Sequence, residues 1–416
     1  MKFKILMCVT AITLFAALAV RVRLAAQEHK QDPIRYTVID LGTLGGAYSL
    51  AGGLSNSGWV EGRTTLSTGA LRPFLWRNGK MMNLGTLGGL NSDAAYRPNE
   101  RGDAAGGSEN GTVDPHAENY CGYGTDYICL PFFWSDSLKM MTPLPTLGGN
   151  NGWAAGVNDS DEVAGNAENT TKEPTCVAPQ FFQFKPVIWE KGEVHELPTF
   201  PGDPVGQAYG INSWGQITGY SGNCVTAFHA LLWQNGSVIN LGNLGGVMNN
   251  EGVDINNQGQ VTGQSDLKGD LTGHAFLWEY GHMKDLGTLL GDYGSDGDGI
   301  NDEGQVVGGS WNEAQTVESA IIWQNGVMTD LNTLIPPHSP LYLVEATGTI
   351  NDQGWIAGVA TQIKTGHTHA FLLIPTTELW PLSESQRVAL PENVRNWLQQ
   401  RHGSGHRMAG RFMGPR

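Results

Sequence analysis

The chain has 416 residues, of which 57 are glycine, and its charged residues make up only 16% against 40% hydrophobic ones. That glycine content, close to twice the usual share of roughly 7%, excludes a long-helix or coiled-coil protein, and 13 Trp supply ample apolar surface for a folded core. The formal net charge of −15 leaves no basic surface to neutralise phosphates, which excludes DNA and RNA as partners.

The chain begins with Lys2 and Lys4, an apolar run from Ile5 to Val20, and Arg21 and Arg23 before Ala25 and Ala26. A basic start, an apolar core and small residues at a cleavage point read as a secretory signal over 1–26, which places the protein outside the cytoplasm, secreted or periplasmic. An uncleaved anchor is the alternative, although the run is short for a span of about 20 residues. Cys8 lies too early to carry a lipid. Cleavage near Ala26 leaves 21 basic against 40 acidic side chains, spread along the chain as a solvated face would be. Residues 27–35 read as a linker, and no further membrane span is expected.

From Tyr36 to Pro375 the chain repeats itself. "GINSWGQITG" ending at Gly219 recurs as "DINNQGQVTG" at Gly263, "GINDEGQVVG" at Gly308 and "TINDQGWIAG" at Gly358, with weaker copies ending at Gly62, Gly106 and Gly165. Each copy continues through a run such as "HAFLWE" from His274 and a second run such as "MKDLGTLLG" from Met283. These are short stretches of Val, Ile, Phe, Trp and Leu bounded by Gly, Asn or Asp, the pattern of strands joined by hairpins. Asn78-Gly79, Asn235-Gly236 and Asn325-Gly326 are the tightest hairpin signals, because both central residues of such a turn require positive φ. Four strands per copy matches a propeller blade. The seventh copy ends at Pro375 without its fourth strand, while "YTVIDLGTLGG", Tyr36 to Gly46, precedes the first. The expected fold is therefore all-β: a seven-bladed β-propeller over 36–375, closed by an N-terminal strand that completes the last blade, and a monomer.

Aligned copies separate scaffold from ornament. The third strand carries Trp76, Trp134, Trp189, Trp233, Trp278 and Trp323, with Leu373 last, as packing of blade on blade demands. The first turn carries Asn99, Asn158, Asn212, Asn256, Asn301 and Asn351, with Ser55 first, whose side chains can bond their own backbone two residues on.

The segments "HALLW" from His229, "HAFLW" from His274 and "HAFLL" from His369, flanked by "DLGTLGG"-like and "GINxxGQVVG"-like stretches, resemble the HAF-repeat family, predicted bacterial extracellular repeat proteins. The resemblance covers nearly the whole mature chain and implies an exported repeat protein, with no catalytic residues to transfer. The histidine position itself reads Arg72, Leu130, Lys185, His229, His274, Ser319 and His369, and a chemically required group would not alternate with leucine and serine. Structural or surface roles are expected for these three histidines.

Cys121, Cys129, Cys176 and Cys224 all fall between second and third strands, hence on one face. An even number in an oxidising compartment reads as disulfides, Cys121–Cys129 within one loop and Cys176–Cys224 between neighbouring blades. A zinc site is the competitor, without a Cys-x-x-Cys pair to support it. The same loops, 107–130 and 166–184, are insertions and carry Tyr120, Tyr123, Tyr127, Phe181 and Phe182, which mark this rim as the candidate binding surface for a glycan or an extracellular protein. Loops that merely tolerate drift are the other reading.

Asp292, Asp296 and Asp298 in "DYGSDGDGINDEG" resemble a calcium loop, with Glu303 at the twelfth position, but Gly294 stands where a third-position acid is needed. Neither metal nor cofactor is expected. There is no Gly-x-Ser-x-Gly elbow, His-Glu-x-x-His or phosphate-binding loop, so no catalytic residues are assigned. A propeller enzyme that gathers its acids from several blades to act on extracellular glycans stays open, as does a purely structural envelope protein. Residues 376–416 leave the repeat: Pro391 to His402 reads as a short helix, followed by a basic end with Arg407, Arg411 and Arg416.

Overall fold

The structure, a computed structural model, describes residues 34–382, 387–392 and 394–396. The expected signal, most of the linker and the basic end lie outside the described residues. The described residues are all-β apart from a 3-10 turn at Leu331–Thr333 and helical residues at 392 and 394–396, the described part of the expected tail helix. No described helix is long and apolar enough to cross a membrane.

Each copy folds as a four-stranded antiparallel unit. In the fourth copy Val205–Ile211 pairs with Ile217–Asn223, that strand with Thr226–Gln234, and that in turn with Ser237–Asn240. The seventh copy takes three strands from its own segment, Leu341–Glu345, Ile356–Gln362 and Thr368–Thr376, and a fourth from the N-terminus, where Arg35–Gly42 pairs antiparallel with Thr368–Thr376. Single parallel bridges at Tyr48↔Thr368 and Ala227↔Asn249 join neighbouring units.

Local chemistry explains the punctuation. Asn78 and Gly79 have φ of 51° and 80°, and the Asn235-Gly236 and Asn325-Gly326 pairs are likewise both positive. The glycine that ends each repeated motif, third residue of its second strand, serves a different need. A Cβ at Gly219 would stand 2.0 Å from the Gln207 carbonyl oxygen and one at Gly263 1.9 Å from that of Glu251. The first strand bulges at this level and presses its backbone onto the second, so any side chain there would part the strands.

The third-strand tryptophans each pack on the unit before. Trp189 sits with Ala105 and Phe133, Trp233 with Ala164 and Ile188, and Trp76 of the first unit with Ala357 and Leu372 of the seventh. The indole N–H groups of Trp189 and Trp233 donate to the carbonyls of Pro145 and Pro198, each at 2.7 Å, so these rings carry no unpaired donor into the core.

The turn asparagines do more than close turns. Asn301 Oδ1 accepts the N–H groups of Glu303 and Gln305, while its Nδ2 donates to Gln305 and to the carbonyl of Asn351 in the next unit, at 3.1 Å. Asn99, Asn158, Asn212 and Asn256 repeat the inter-unit bond, and Asn351 donates to the carbonyl of Ser55 at 3.2 Å, joining the last copy to the first. Replacing Asn301, 1% exposed, with alanine strands buried backbone N–H groups and a carbonyl. The expected loss is about 1–3 kcal/mol, read as a lowered thermal midpoint; an unchanged midpoint would show that the bond is incidental.

Candidate functional site

Antiparallel alternation puts the asparagine turns at one end of every unit and the cysteine-bearing loops at the other, giving a turn face and a loop face. Between them the first strands bring residues of distant copies together.

Near the turn face this centre is filled by a side chain. Arg97 of the second unit donates through Nη2 to Asp254 at 2.9 Å, to Thr349 Oγ1 at 3.0 Å and to the Ile300 carbonyl at 3.2 Å, reaching the fifth, sixth and seventh units. Below it lies a small cavity bordered by Arg63, Tyr96 and Asp298. Arg63 and Asp93 form a buried ion pair at 2.6 Å, with Tyr48 accepting from Arg63 Nε. Burial moves the Asp93 carboxyl up to about 6 against the pull of Arg63, and burial together with Asp93 holds Glu61 well above the carboxylate range.

On the other side Asp296, Asp298 and Glu345 turn ligand oxygens to within 4.8 Å of one another, all three buried. Hard oxygen donors of this kind suit Ca²⁺ or Mg²⁺. The arrangement differs from the calcium-like spacing of Asp292, Asp296 and Asp298 along one segment. Asp296 and Asp298 lie on a first strand, Gly294–Ile300, Asp292 is bound by Arg387 Nη2 at 2.6 Å, and the third acid comes from the next unit. Spacing along one segment could not reveal Glu345. Alignment of the first strands could have, because Asp93, Glu251, Asp296 and Glu345 all stand opposite the residue that follows the closing glycine. No histidine joins these acids among the described residues.

On the loop face both disulfides form, Cys121–Cys129 and Cys176–Cys224, with Cα separations of 6.0 and 4.8 Å. Loop-closure entropy assigns the second, spanning 48 residues, about 4 kcal/mol and the first about 2.6 kcal/mol. The aromatic residues of these loops are unequal. Tyr120 and Tyr123 pack inward on the Cys121–Cys129 bridge and Trp153, and Tyr120 also touches the cluster around Cys224 and takes a bond from Asn166. Tyr127 opens a third strand opposite Val113. Phe181 and Phe182 remain half-buried at the surface: Phe181 stacks on His116 at 4.3 Å and Phe182 meets the same ring edge-on at 4.9 Å, while Lys172 caps Phe181. His116 lies in one insertion and the phenylalanines in the other, so the contact locks the two loops together.

Beneath that contact is a pair of acids. Glu118 accepts from the backbone N–H groups of Phe181 and Phe182, and Asn151 Nδ2 reaches Glu118, Glu168 and Asp114 at 3.3, 3.0 and 3.2 Å. Burial, reinforced by Glu118, moves the Glu168 carboxyl up to about 8, and burial raises Glu118 as well. The bonds of Asn151 to both carboxyls tie the two insertions together beneath the aromatic contact.

The repeat histidines have structural partners. His274 and His369 bond Asp285 and Asp40 at 2.9 and 2.8 Å, the acids that open the "DLG" segments of their own units. The bond to His274, then that from the Gly287 N–H, hold the Asp285 carboxyl below its ordinary range against partial burial. The fourth unit has Asn240 at that place, and His229 turns instead to Asp203 at 2.7 Å.

No protein-family model matches the chain, and no curated protein does. Among solved structures it is similar to the β-propeller domain of the Trilobed protease from Pyrococcus furiosus, at 12% identity over 67% of this chain and 82% of that one, with a TM-score of 0.42. It is also similar to a prolyl endopeptidase, at 9% identity over 83% of this chain and 51% of that one, TM-score 0.46. A puromycin-hydrolyzing peptidase of Mycobacterium tuberculosis matches at 11% identity over 85% of this chain and 56% of that one, TM-score 0.45. The chain spans about half the length of those two enzymes. Likeness at this level transfers no site residues.

The acid pair makes stability depend on pH in a defined direction. Both carboxyls are raised in the folded chain, so the folded state binds more protons than the unfolded one between the ordinary glutamate value, about 4.3, and the folded value of Glu168. Stability from this pair is full below that window, falls as pH rises through it and levels off above about 8. Glu168→Gln should flatten the decline of the thermal midpoint between these limits; parallel curves for both proteins would show that the pair is not raised by burial.

Proposed function

We propose that the chain is an exported seven-bladed β-propeller of the HAF-repeat type, closed by its N-terminal strand, that serves as a binding module for an extracellular polymer, glycan or protein. Support for closure comes from the Arg35–Gly42 pairing, the seating of Trp76 on Ala357 and Leu372, and the bond from Asn351 to Ser55. The two disulfides fit an oxidising compartment.

One observation carries the binding reading. The two insertions are strapped by separate disulfides and interlocked by His116, Phe181, Phe182 and the acid pair beneath, which fixes an apolar surface on the loop face. Val113 and Val177, 64% and 67% exposed, extend it. A rigid, partly apolar surface on a loop that the scaffold does not need is the usual form of a recognition site. Tyr120 and Tyr123 belong to its foundation, whereas Phe181, Phe182 and Tyr127 are the members of the expected rim nearest a partner.

A second reading, a propeller enzyme acting on extracellular glycans, draws on Asp296, Asp298 and Glu345. Gel retardation of the mature chain by a panel of extracellular polysaccharides, coupled to a reducing-end assay, separates the two. Retardation without new reducing ends is expected. New reducing ends that vanish in Glu345→Gln would establish the enzyme, and a panel that neither retards nor is cut would confine the ligand to protein. Limited proteolysis tests the ring: cleavage should be confined to loops of an otherwise intact 36–375 core, and stable fragments of two or three units would overturn closure, because each unit buries its tryptophan on the one before.

A further inference from the structure

We propose that the turn face carries a saccharide site, with Trp214 as its stacking platform and the depression at the centre of that face as its hydroxyl site. The inference rests on the binding-module reading and adds to it a ligand class and a site on the opposite face.

Trp214 is 75% exposed, on the turn of the fourth unit. The other copies carry Ser57, Arg101, Ser160, Gln258, Glu303 and Gln353 at this place, so the turn itself requires no aromatic side chain. The indole is nonetheless held: Nε1 donates to the Asn257 carbonyl of the next unit at 3.2 Å. A large apolar ring, fixed through its one polar atom and left open to solvent, is preorganised to stack on another flat face.

The two residues before it, Asn212 and Ser213, line a depression of about 60 Å³. Around its rim the turns hold one another by a second set of bonds. The N–H of Ser213 donates to Asn257 Oδ1, that of Asn257 to Asp302, that of Asp302 to Asp352, that of Asp352 to Asn56, that of Asn56 to Glu100 and that of Glu100 to Asp159. Backbone donors are thereby consumed, while each carboxylate is fixed in direction with lone pairs remaining. The floor is Arg97, which bonds Asp254, Thr349 and the Ile300 carbonyl through Nη2 and whose side chain is 26% exposed. A rim of aimed acceptors, a guanidinium floor and an adjoining aromatic face match a sugar ring, which offers hydroxyl groups that donate and accept and an apolar C–H face. The charge on the acceptors strengthens bonds from hydroxyl donors. The rim excludes phosphates and other anions, the polar lining gives an apolar ligand nothing to bury against, and the volume admits the hydroxyl edge of one ring.

The test uses the mature chain and methyl glycosides of glucose, galactose, mannose, fucose and N-acetylglucosamine, followed by tryptophan fluorescence, with the polysaccharide gels as a second readout. At least one glycoside should give a saturable change. Trp214→Ala and Asp159→Asn should each weaken it by about tenfold or more at an unchanged thermal midpoint, with partial recovery in Trp214→Phe. Retardation lost in Phe181→Ala and intact in Trp214→Ala would overturn this site and leave the binding module standing on the loop face. Salt-sensitive binding of polylysine with no response to any glycoside would overturn it in favour of a cationic ligand.

Discussion

One side chain per repeat ties the units to one another. The turn asparagine closes its own turn with Oδ1 and passes Nδ2 to the backbone carbonyl of the next turn, so that local structure and assembly depend on the same buried amide. Leaving either end unmade in the interior costs more than the bond gains, which makes the arrangement exacting. Serine at the first copy fits this scheme, since a carbonyl, which any residue has, is all that Asn351 requires of Ser55. The tryptophans act in parallel: each seats on the preceding unit, and their apolar burial supplies what the amides orient.

Against so regular a scaffold, departures stand out as the places where chemistry collects. The insertions of the second and third units do not hang from the scaffold. They interlock through His116 and the phenylalanines above a pair of acids that burial raises, with Tyr120 reaching both disulfides. Trp214 departs in the opposite sense, an apolar residue where other copies place polar ones. Arg97 departs a third way, filling the centre near the turn face and meeting three units at once. The tail, too, is tied to the loop side: Arg387 holds Asp292, and Leu390 and Val394 join the cluster of Tyr48, Leu50 and Val344.

Read along the chain, Asp292, Asp296 and Asp298 look like successive ligands of one loop. Two of them prove to be alternate residues of a strand, and their partner Glu345 lies on a different unit, while Asp292 serves an arginine of the tail. The repeat histidines illustrate the converse. Their irregular occurrence argued for structural duty, and each of the three bonds an aspartate, Asp285 and Asp40 from the "DLG" segments and Asp203 where the fourth unit has Asn240.

The sequence by itself determined the all-β character, the four-strand repeat, the hairpin positions, the cysteine pairing and the need for an N-terminal strand in the last unit. These follow from periodicity, from positive-φ turns and from an aligned position that is always apolar, properties that each short segment carries within itself. Tertiary structure alone decided which acids meet, which aromatic residues stay at the surface and where a cavity opens. Those depend on side chains distant in the chain being brought together, as Arg97 is to Asp254 and Thr349, with separations of 157 and 252 residues. No local pattern records such a distance, because it is set by how whole units pack on one another.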